Sequence, residues 1–82
     1  MSAPAFIAAD YAFAPSNRVV TALDNVRTIL IKRMEMAGIV AADAEERGDD
    51  YGFDLAMRSV AAFRVAIDDI AVAIQREQGA RQ

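Results

Sequence analysis

Eighty-two residues make one domain and no more, and with no Cys and no His neither disulfides nor the usual zinc ligands can supplement so small a core. A 55% hydrophobic composition and a mean hydropathy of +0.16 are high for a small soluble monomer, which leaves association as the supplement. The net charge of −3 and pI of about 4.7 exclude broad binding to nucleic acid or anionic lipid, where Lys and Arg must neutralise phosphates.

Residues 1–17 are expected to form an irregular apolar arm, punctuated by Pro4 and Pro15. Phe6, Tyr11 and Phe13 place three of the chain's six aromatic residues here, and together with Ile7 they follow no sustained helical or strand period. Left in water, such a segment is an aggregation liability. It either straps over its own hairpin or the partner protomer, or it docks into a groove of another protein through its aromatic anchors.

Arg18 to about Arg47 reads as one long helix. Ser16 or Asn17 offers an N-cap, and Gly48 offers the left-handed residue that closes a helix C-terminus. Val19, Leu23, Val26, Leu30, Met34, Ala37 and Ala41 form a stripe at near-heptad spacing, the expected contact with a second helix. Ala22, Ile29, Met36 and Val40 widen the apolar arc on one side, and Val20 and Ile31 on the other, to roughly 200°, about twice what one neighbour needs.

A turn at 48–52 follows, with Asp49 or Asp50 as the cap of a second helix over about 53–78. Its main stripe is Phe53, Ala56, Met57, Val60, Phe63, Ile67, Ile70, Ala71 and Ile74. A small-residue row of Ser59, Ala62, Ala66 and Ala73 runs beside it and permits close approach of another helix. Val65 and Val72 fall on the opposite, charged side, and Gly79 is the expected stop.

A turn this short forces the two helices antiparallel. The expected fold is therefore all-α, a two-helix hairpin that pairs through its wide arcs into a homodimeric four-helix bundle. The core and dimer positions are Val19, Leu23, Val26, Ile29, Leu30 and Met34 on the first helix, and Val60, Phe63, Ile67, Ile70 and Ile74 on the second.

Catalytic chemistry is poorly supplied. There is no His or Cys, Lys32 is the one Lys, and Ser2, Ser16 and Ser59 have no base in a recognisable relation to them. A di-iron bundle site needs a Glu-x-x-His pair, which the chain lacks. The acidic run from Asp43 to Asp50 departs from the EF-hand spacing and reads as a solvated turn. No cofactor and no metal is expected. Arg33 and Arg64 sit at the edges of their apolar stripes: either their stems pack while the guanidinium reaches water, Glu35 or Asp68, or they make a charged contact that fixes dimer register or meets a partner.

These features point to a small non-enzymatic interaction module, a dimer that binds and modulates a larger protein, with Phe6, Ile7, Tyr11, Phe13, Arg33 and Arg64 as partner-binding candidates. The alternative is an assembly subunit or chaperone-like hairpin that completes a larger bundle. In architecture the hairpin resembles small two-helix proteins of phages and prophages, some of which bind host regulators, and equally bacterial helical-hairpin domains; the likeness assigns no residue roles. Arg and Ala richness suits a GC-rich bacterial genome. The start has no positive residue before its apolar stretch, so no signal peptide is read, and no apolar run approaches the roughly 18 residues of a membrane span. A cytoplasmic protein is expected, without nucleic-acid or membrane partners.

Overall fold

A computed structural model of the chain contains two α-helices, α1 from Ser2 to Glu46 and α2 from Asp50 to Ala80. The structure describes the backbone of residues 2–80 and the side chains of residues 18–79. Among these residues there is no strand, and the two helices pack against each other as an antiparallel hairpin.

Three residues make the turn, and each end is closed by chemistry the sequence supplies. Gly48 has φ +73°, the left-handed conformation that costs an L side chain about 1–2 kcal/mol and glycine almost nothing. The Asp49 amide donates to the Ala44 carbonyl at 2.8 Å and the Gly48 amide to the Glu45 carbonyl at 3.1 Å. This is the Schellman pair that satisfies the last carbonyls of α1. Asp49 then caps α2: its carboxylate accepts the Gly52 amide at 2.8 Å, while its carbonyl accepts the Phe53 amide at 2.9 Å as the first bond of the helix. The expected turn at 48–52 thus shortens to 47–49. Gly52 is the third residue of α2, and a Cβ there would lie 2.8 Å from Asp49 Cγ.

Both ends of the hairpin run further than the sequence suggested. α1 begins at Ser2, so residues 2–17 are helical backbone and no helix starts at Ser16 or Asn17. Alanine favours this: five of the ten residues from Ala5 to Ala14 are Ala, the strongest helix former. Pro4 falls in the first turn, where its missing N–H has no partner to lose. Pro15 lies inside α1 and leaves one helical bond unmade. α2 likewise passes through Gly79 to Ala80. A glycine near a helix end costs about 1 kcal/mol relative to alanine and need not stop the helix.

The seam between the helices keeps a strict heptad. On α1 it is Val20, Leu23, Arg27, Leu30, Met34, Ala37, Ala41 and Ala44; on α2 it is Ala56, Val60, Phe63, Ile67, Ile70, Ile74 and Glu77, all buried or half-buried. Small residues fill it near the turn, where Ala41, Ala44 and Ala56 are the buried apolar residues, and large ones fill it towards the open end. No large side chain is fully buried. A pair of helices has a seam but no interior, so each apolar residue on it is covered from one side.

This phase corrects the expected stripe of α1. Val19 and Val26 are 41% and 43% exposed and lie off the seam, and Ile29, expected in the flanking row but counted with the core and dimer positions, is 52% exposed beside it. Val20 and Arg27 take the places given to Val19 and Val26. The alanines by the turn fix the phase, and Arg27 is accommodated because its aliphatic stem packs while its guanidinium stays near water, 3.9 Å from Asp24. Leu23, Leu30, Met34, Val60, Phe63, Ile67, Ile70 and Ile74 are on the seam as expected, whereas Met57 is exposed.

Candidate functional site

Two rows flank the seam on each helix, and they give the hairpin two unlike faces. One step before the seam positions, α1 carries Val19, Ala22, Val26, Ile29, Arg33, Met36 and Val40, and then Asp43 by the turn. In antiparallel helices the same step on α2 falls on the same side, which adds Leu55, Ser59, Ala62, Ala66, Asp69 and Ala73, and then Arg76 at the open end. Six of the eleven exposed large hydrophobic residues, Val19, Val26, Ile29, Met36, Val40 and Leu55, lie in this one face. The others, including Val65 and Val72 on the outer side of α2, stand apart, which is ordinary for a protein surface.

The opposite face is more polar, although Ile31 and the exposed Met57 also lie in it. A groove at the open end of the hairpin has Thr21, Asp24 and Arg27 of α1 beside Gln75 and Gln78 of α2. Further along, α1 shows Thr28 and Glu35, and α2 shows Arg64 and Asp68. Arg33 and Arg64, singled out together from the sequence, therefore lie on different faces: Arg33 within the apolar one, Arg64 on the polar one.

Three ion pairs occur among the described residues, each within one helix: Asp24 with Arg27, Asp43 with Arg47 at 2.9 Å, and Asp54 with Arg58 at 3.0 Å. No ion pair among them crosses from α1 to α2, so register within the hairpin is set by apolar packing. Arg33 takes no part in them, nor does Arg64; the pairings considered with Glu35 and Asp68 are not formed. The acidic run by the turn has structural partners instead. Asp43 holds Arg47, and Asp49 caps α2. No three carboxylates among the described residues converge as a metal site would require.

Phe6, Ile7, Tyr11 and Phe13 have side chains outside the described residues, so the packing expected of them is not placed. Their backbone belongs to the part of α1 that outruns α2: 45 residues against 31, about 67 Å against about 46 Å. Sequence reasoning overlooked Leu55 and Asp69 as members of the apolar face. Writing the heptad of α2 one step out of phase would have found them, since both fall in the alanine row. No helix among the described residues is long and apolar enough to cross a membrane. No family model, curated protein or solved structure matches the chain.

Proposed function

We propose that this chain is a non-enzymatic interaction module that works as a homodimeric four-helix bundle and binds and modulates a larger bacterial protein. The observation that carries the reading is the one-sided apolar face. The surface of the chain agrees with it: 6202 Å² is accessible, against about 4,800 Å² for a compact monomer of this mass. Covering one apolar face per copy removes part of that excess. The length of α1 that α2 does not reach holds three of the six aromatic residues, Phe6, Tyr11 and Phe13, and it supplies the contact with the larger protein.

Light scattering on the purified chain should give twice the 8.9 kDa chain mass. Met36→Glu and Val40→Glu, each placing a charge in the apolar face but off the hairpin seam, should return it to the monomer mass with helicity retained. A cooperatively melting monomer without any substitution removes the basis of the proposal. An aggregating or molten chain favours the alternative, an assembly subunit whose face is completed by a different protein.

A further inference from the structure

Between its charged ends, Asp43 by the turn and Arg76 at the open end, the apolar face carries two charges that one copy does not pair. Arg33 on α1 and Asp69 on α2 are both exposed, and neither belongs to the ion pairs of the described residues. The groove at the open end is lined by Val20 to Arg27 of α1 and Ala71 to Gln78 of α2, so in an antiparallel pair residues whose numbers sum to about 98 lie near one level. On that register Arg33 is level with about residue 65 of α2, one turn or about 6 Å from Asp69. Side chains on a helix lean towards its N-terminus. In antiparallel helices the two therefore lean towards each other's level.

Two such faces can close about a two-fold axis in two ways. With the axis along the helices, α1 of each copy lies on the partner's α2 and levels are preserved. Arg33 then stands one turn from the partner's Asp69, both lean into the gap, and the pair forms twice. With the axis across the helices, α1 lies on the partner's α1 in reverse. Centring the faces then brings Arg33 within about 9 Å, along the axis, of the partner's Arg33, and Asp69 within about 3 Å of the partner's Asp69. Like charges are opposed at both places. Side-chain size makes the same choice: the first way sets Met36 over Ala62 and Val40 over Ser59, whereas the second sets large residues on large and alanines on alanines.

We propose that the occupant of the apolar face is a second copy closed in the first way, with Arg33 of each copy paired to the partner's Asp69 and both turns at the same end of the bundle. This rests on the dimer proposed above and adds its geometry. The face is about 30 Å long and about 20 Å wide, so it buries about 600 Å² per copy and about 1,200 Å² in all, the lower bound for a stable interface.

Tyr51, beside the turn, is 75% exposed, and the chain has no Cys, so Tyr51→Cys takes a single spin label. In the proposed dimer the two labels lie roughly 20–30 Å apart; with the axis across the helices they lie roughly 50 Å apart. Light scattering on the same labelled sample separates the outcomes. A dimer with the short distance is expected, a dimer with the long distance overturns this geometry alone, and a monomer overturns the dimer itself. Charge exchange tests the pair independently: Arg33→Asp or Asp69→Arg should each weaken dimerisation roughly 10- to 30-fold, and the double exchange should recover to within about threefold. A double variant no better than the singles overturns the pairing.

Discussion

The turn is where single residues decide most. Gly48 is held at φ +73° with open space around its Cα, so an added methyl meets no neighbour and the penalty is conformational. Gly48→Ala should cost about 1–2 kcal/mol. At about 4–8 °C per kcal/mol for a domain of this size, the loss is readable in a thermal melt. Asp49→Ala removes the carboxylate from the Gly52 amide and should cost about 1 kcal/mol, the usual worth of an N-cap. Gly52→Ala sets two effects of similar size against each other: alanine gains about 1 kcal/mol over glycine in a helix, but its methyl displaces the Asp49 carboxylate. The expected melt is within a few degrees of the unsubstituted chain. A full gain of about 1 kcal/mol would mean that the cap re-forms in another rotamer.

Along each helix the half-buried seam sets the scale of mutational cost. A fully buried Phe truncated to Ala costs about 3–5 kcal/mol. Phe63 is covered by α1 on one side only, so Phe63→Ala should cost about half as much, near 2 kcal/mol. Leu30→Ala, on the same seam, should fall in the same range. Denaturant unfolding measures both, and values near 5 kcal/mol would show that something beyond the hairpin covers the seam. The heptad of α2 was legible in the sequence because its large residues, from Val60 to Ile74, define one phase. That of α1 was not, because Val19 and Val20, and Ile29, Leu30 and Ile31, are adjacent apolar residues that satisfy two phases equally. Only the placement of Ala37, Ala41 and Ala44 against Ala56 chooses between them.

For the whole molecule the expectation is coupling between folding and association. If two apolar faces close on each other, the melting temperature should rise with protein concentration; a melt independent of concentration over two decades would sink the dimer. Deleting residues 1–14 removes the part of α1 that α2 does not reach. That deletion should leave the dimer intact and abolish capture of the larger protein, and if it changes neither, this part of α1 has no role in binding.

The sequence alone determined that the chain is all-helical, where its two helices meet, and that its apolar surface exceeds what one neighbour covers. Those properties are local: a glycine that tolerates positive φ, an aspartate that reaches an amide three residues on, a period of apolar residues. Which of two adjacent stripes faces α2, and how Arg33 and Asp69 come to share one face while Arg64 does not, were decided only by the tertiary structure. Those choices depend on the relative phase of two helices, which is fixed by close packing of small side chains between them and is written in neither helix by itself.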